Sequence, residues 1–203
     1  MTSSRLFLAA CFLGFSWAPS ASAIFDVQAM LGQRSGTWVH SESSGNVEKD
    51  ISASEMRVGL HIDPVPLVPV SFGLGLEKDT YKSTTDHGFS KLEGLSVQPE
   101  VTVWLPLGDL APYARVGYAF NAVKGTLAVT TTQPEAKSVV LRGAGTHLGL
   151  GLKYSLIPTL ALLVEYSMGF ERVKPVDEIT SGTKPPEFDF KTTGFLAGIQ
   201  WGL

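Results

Sequence analysis

The residues with chemistry to offer are single charges set into apolar segments. LALLVEYSMGF, residues 160–170, carries Glu165 in its middle, and Arg57, Glu77, Glu100, Arg115 and Lys153 stand in similar surroundings. These three acids and three bases could neutralise one another almost completely within one interior, where a paired set is tolerated and an isolated charge is costly. The same residues could instead line a narrow or gated pore whose conductance follows their rearrangement. Hydrolysis would require a hydroxyl, an imidazole and an acid within hydrogen-bond reach. His147 is the only histidine placed mid-segment; His40, His61 and His87 lie at segment ends or between segments, and His40-Ser41-Glu42 is adjacency without diagnostic spacing. Scattered histidines and a lone cysteine make no metal-ligand pattern. The expectation is a paired interior network with no catalytic residue, no metal site and no cofactor.

The segments that carry these charges alternate strictly between apolar and polar residues, the mark of strands with two unlike faces. In 54–64, Met56, Val58, Leu60 and Ile62 oppose Glu55, Arg57, Gly59 and His61. The pattern recurs in 69–77, 95–105, 114–122, 146–154 and 160–170, and the segments 24–37 and 192–203 bring the count to eight. Three residues resist it: Leu163 falls on the polar face, Trp38 is out of phase, and Pro99 sits on an apolar face, where its missing N–H predicts a bulge or local break.

Residues 1–23 read as a secretory signal, with Arg5, an apolar core and Ala21-Ser22-Ala23 as the cleavage site, so the mature domain is expected to span 24–203. Leu8-Ala9-Ala10-Cys11 imitates a lipoprotein signal, but too few apolar residues precede Cys11. Cleavage would remove the only cysteine, leaving no disulfide. A formal net charge of -3 without a basic block argues against nucleic acid. No later stretch is long and apolar enough for a membrane-spanning helix.

The connections alternate between short proline-rich turns (63–69, 106–112 and 155–158) and long polar loops (40–53, 78–93, 125–142 and 171–189). Short turns at one end and long loops at the other predict an up-and-down strand order. Glycine suits a cramped lumen, so the glycine-rich polar face belongs inside and the nearly charge-free face outside, against lipid. Phe25, Tyr154 and Trp201 near the turn end, with Phe120 and Phe170 near the loop end, are placed for interfacial girdles. The expected fold is all-β: an eight-stranded antiparallel up-and-down transmembrane β-barrel.

The signal, the eight strands and the closing stretch LAGIQWGL resemble the small bacterial outer-membrane barrels typified by the OmpA transmembrane domain and OmpX. In that family the last strand carries an assembly signal, and Gly198, Trp201 and Leu203 fit it; Leu203 replaces the commoner phenylalanine, and Leu196 stands where a polar residue is usual. The resemblance implies residence in the outer membrane beside lipopolysaccharide, and insertion by the barrel-assembly machinery. Some barrels of this kind act on lipid A acyl chains, an enzymatic alternative that no spacing here supports. The remaining expectation is a monomer with a structural or surface-interaction role, its long loops offered to a protein partner. Residues 126–141 read either as a hairpin extending the fifth and sixth strands above the membrane, with an open edge for strand addition, or as a Thr-rich loop.

Overall fold

The structure is a computed structural model that describes residues 25–42, 45–63, 68–82, 89–127, 138–176 and 187–203. It contains eight strands: β1 (Phe25–Glu42), β2 (Gly45–Ile62), β3 (Val70–Tyr81), β4 (Phe89–Trp104), β5 (Leu110–Leu127), β6 (Ser138–Ile157), β7 (Leu160–Pro175) and β8 (Phe188–Gly202). Each pairs antiparallel with its sequence neighbours, and β1 pairs with β8 from Asp26↔Gly202 to His40↔Phe188, closing the barrel. Closure leaves no sheet edge, the condition for burying strand backbone in hydrocarbon. The expected signal segment, 1–23, lies outside the described residues.

Period-2 alternation divides every strand between lumen and exterior. Along β7, Leu162, Val164 and Phe170 are exposed on the outer face, whereas Leu163, Glu165 and Ser167 are buried inside. The apolar outer run ends where Arg172 and Lys174 begin. Ten residue steps from Leu160 to Phe170, at about 3.3 Å each and tilted about 40°, rise about 25 Å, the height of an outer-membrane apolar band.

Two expectations are corrected and a third is narrowed. The strands run well past the expected loop boundaries: β1 reaches Glu42 and β2 begins at Gly45, so most of 40–53 is strand, and the other three loops are shortened similarly. The reason is a change of environment along an unchanged ladder. Beyond the apolar band the outer face becomes polar, while the inner face becomes apolar through Trp38, Ile51, Tyr81, Leu141 and Phe190, all buried. Trp38 therefore shares the inward phase of Met30 and Arg34 and only its chemistry differs. Pro99 makes no bulge, because Val97↔Phe120 and Glu100↔Gly117 keep one register on either side of it, but the pairing to β5 is interrupted at Gln98 and Pro99, which is the local break expected. The ladder to β3 is continuous through Leu74↔Pro99, so the proline removes a donor without inserting a residue. Register shifts occur instead at Phe89/Lys91 and at Ser155/Ile157.

Of the expected 126–141 hairpin, residues 128–137 lie outside the described residues. The described part is strand with the pair Thr126↔Ser138, and it is flanked on its other sides by Lys91↔Thr126 and Leu141↔Pro175. Val164→Arg, which sets a charge at mid-height on the lipid face, is expected to lower stability by roughly 2–4 kcal/mol in urea unfolding from lipid vesicles. Lys191→Arg, above the band, is expected to change it little.

Candidate functional site

An eight-stranded barrel has an interior just wide enough for side chains, and here the interior is filled. At the loop end, Trp38 stacks on Phe190 with centroids 5.5 Å apart, Phe188 meets Trp38 edge-on at 4.8 Å, and Ile51, Leu92 and Val173 join the same buried cluster. A smaller cluster of Met30, Tyr113, Leu163 and Leu196 lies on the turn side, with Trp104 packed against it. Leu163, which the alternation alone left without a partner, is thus an inward residue with an apolar place.

Between these clusters lies a buried ionic layer built around three arginines. Arg115 donates to Glu165 through Nε at 3.1 Å and through Nη2, and to Glu100 through Nη1 at 2.8 Å. Arg57 pairs with the other oxygen of Glu100, and that oxygen also lies 2.6 Å from Nε2 of His61, whose Nδ1 faces Asp26 at 3.2 Å. Arg34 sits among four acids: Glu77 at 2.8 Å, Glu55 at 3.1 Å, Asp79 at 3.3 Å and Glu171 at 3.7 Å. His147 engages Glu171 through Nε2 and lies 3.3 Å from Gln98 through Nδ1. A planar guanidinium with five donors serves several carboxylates at once, which a lysine cannot do as well. Glycines make the space: a Cβ on Gly149 would lie 2.7 Å from the Glu165 carboxyl.

Outside the lumen the charges behave differently. At the loop end the exposed Arg172 holds Asp189 at 2.6 and 3.1 Å, and this hydrogen-bonded pairing keeps the Asp189 carboxyl below the usual range. In the turn beyond β2, partial burial and then the nearby Asp26 carboxylate raise that of Asp63.

A family model of the outer membrane protein beta-barrel domain matches residues 7–201, nearly the whole chain. The chain belongs to this family. Among solved structures, Neisserial surface protein A is 14% identical, with a TM-score of 0.59 over 90% of this chain and 99% of that one. The outer membrane protein OprG from Pseudomonas aeruginosa is 11% identical, with a TM-score of 0.61 over 88% and 95%. At such identities the likeness is one of fold. Among curated protein sequences none matches.

Within this outer-membrane barrel, Arg57, Glu77, Glu100, Arg115 and Glu165 all enter the buried layer. Lys153 stands apart, with Nζ 4.8 Å from the centre of the Trp104 ring, so the base that meets Glu165 is Arg115. Near-complete neutralisation does not follow, because the buried inventory is larger and acid-rich. Among the described residues, the buried acids Asp26, Glu55, Glu77, Asp79, Glu100, Glu165 and Glu171 face the buried bases Arg34, Arg57 and Arg115, with His61 and His147. Signals for the missed members existed. Arg34 shares parity with Asp26 and Gln28, and His61 with Arg57; Asp79 and Glu171 fall within the expected loops 78–93 and 171–189 because the outer face turns polar at their height.

Gly198 faces the lumen at the β1–β8 seam, where a Cβ would come within 2.0 Å of the Ala29 carbonyl oxygen; Trp201 and Leu203 are exposed on the outer face. Two sets among the described residues could present three ligand atoms to a metal: Glu77, His147 and Glu171, or Glu55, Glu77 and Asp79.

Arg115→Ala strands Glu165 without its partner and is expected to destabilise the barrel by about 3–5 kcal/mol, measured by urea unfolding in vesicles. The double change Arg115→Met with Glu165→Met is expected to recover most of that loss.

Proposed function

We propose that this protein is a non-enzymatic outer-membrane barrel with a closed lumen, acting through the surface it presents at its loop end. The observation that carries the reading is the filled interior, in which an ionic layer lies between two apolar clusters. A conducting path would have to break buried arginine–carboxylate pairs and part the aromatic cluster around Trp38. The two lumen imidazoles described, His61 and His147, are buried and held by carboxylates, which favours a structural role over attack on a lipid.

The same reading assigns the outer surface. Phe25, Tyr154 and Trp201 form the turn-side aromatic girdle and Phe120 and Phe170 the loop-side one, all exposed on the lipid face. Just above the apolar band, Lys78, Lys124, Arg142, Arg172, Lys174 and Lys191 are exposed. Such a ring suits phosphate-bearing lipid headgroups, as lipopolysaccharide offers. Gly198, Trp201 and Leu203 act as the signal to the assembly machinery, residues 1–23 direct export, and the barrel works as a monomer. A protein partner would meet the loop end.

Planar-bilayer recording tests the central point. The barrel should give no discrete conductance steps; steps in the wild type that change with Arg115→Ala or Glu165→Gln would replace this reading with a gated pore.

A further inference from the structure

The ionic layer divides into two groups of unequal charge. On the turn side, Arg57, Arg115 and His61 face Asp26, Glu100 and Glu165, a set that is neutral when the imidazole is protonated. On the loop side, Arg34 and His147 face Glu55, Glu77, Asp79 and Glu171, leaving two negative charges in excess with His147 protonated and three without. Buried charge of one sign is costly unless a counter-charge accompanies it.

The excess has a definite location. Glu55 and Asp79 are directly opposite each other in the β2–β3 register, both facing the lumen, an arrangement that repels unless a cation lies between them. Arg34 meets one side of each carboxylate, but Glu55 Oε2 and Asp79 Oδ1 are buried with no hydrogen-bond donor. With Glu77 the set is complete: one carboxylate oxygen from each of the three residues lies within 4.8 Å of those of the other two. A point no more than about 2.8 Å from all three therefore exists, close to the distance at which calcium binds oxygen. Glu77 is common to both sets, with Oε1 meeting Arg34 at 2.8 Å and Oε2 accepting from Gln98 at 2.8 Å; what distinguishes the competing set is that its other two members, His147 and Glu171, already bond each other.

We infer that Glu55, Glu77 and Asp79 hold a hard divalent cation, of the calcium class, inside the barrel beneath the loop-end aromatic cluster. Its donors are all carboxylate oxygens, which suit a hard ion and give a thiophilic one no advantage. Calcium is favoured over magnesium because the site shares its space with the Arg34 guanidinium, and calcium accepts irregular coordination where magnesium demands an octahedron and retains water. Two added charges neutralise the loop-side group when His147 is protonated. The cluster of Trp38, Tyr81 and Phe190 covers the site, so the ion is captured as the barrel closes and leaves slowly.

The test uses chain purified from membranes, unfolded in urea and refolded in detergent micelles with calcium chloride, then gel-filtered in chelator. Bound metal is measured by atomic emission, and folding by heat-modifiable migration. The folded barrel should retain calcium in equimolar amount, and Glu55→Gln and Asp79→Asn should each retain about tenfold less, while Glu165→Gln in the turn-side group retains the full amount. Terbium added at refolding should luminesce on excitation of tyrosine, since the Tyr81 hydroxyl lies 3.5 Å from Asp79 Oδ2. If one of the two site variants fails to fold, the other and the wild type still decide. A folded wild type without calcium, or site variants that keep it, would overturn the assignment. So would infrared bands of protonated carboxyls that disappear in either site variant, since protons would then balance the charge.

Discussion

Everything in this barrel follows from the closed backbone ladder. A strand in hydrocarbon has no water to satisfy its peptide groups, so each must pair with neighbours on both sides, and eight strands meet that condition only by joining β1 to β8. Closure fixes the interior width, and at this strand number the interior holds side chains and little else. The lumen is thus a core, although it contains arginines and carboxylates where a soluble protein would place leucines.

That core changes character with height while the backbone phase stays constant. At membrane height the outer residues are apolar and the inner ones ionic; above it the outer face carries lysines and arginines and the inner face becomes aromatic. The inversion follows the solvent, because a face is apolar wherever water is absent and no charge partner is available. Trp38 and Glu165 obey one rule in two environments. The aromatic cluster excludes water from the ionic layer below it, which strengthens the arginine pairs and raises the cost of every acid left over.

The arginine pairs also constrain the strands. Arg115 joins β5 to β4 through Glu100 and to β7 through Glu165, while Arg34 of β1 reaches Glu55 of β2, Glu77 and Asp79 of β3 and Glu171 of β7. A one-residue slip in any of these strands would turn its charge toward lipid, so the ionic layer and the register specify each other. This coupling makes the site a structural device first, and any ligand it takes would stabilise the closed form.

Strand number, the two faces and the up-and-down order were legible in the chain because alternation is a local property, visible over a few residues wherever lipid and lumen differ. Arg57, Glu77, Glu100, Arg115 and Glu165 could be recognised as inward by parity alone. Their partners could not, since the contacts Arg34–Glu171 and Arg115–Glu165 each reach over one intervening strand between residues far apart in sequence and depend on closure and stagger. Parity also misjudged where strands end, because the contrast between faces reverses at the loop end instead of fading. Alternation along the chain sets which way side chains point at membrane height, because lipid and lumen impose opposite polarity on neighbouring residues. Which charges meet, the excess of acids over bases among them, and the pairing of Glu55 with Asp79 beneath an apolar seal come from closure and strand stagger, which no local pattern encodes.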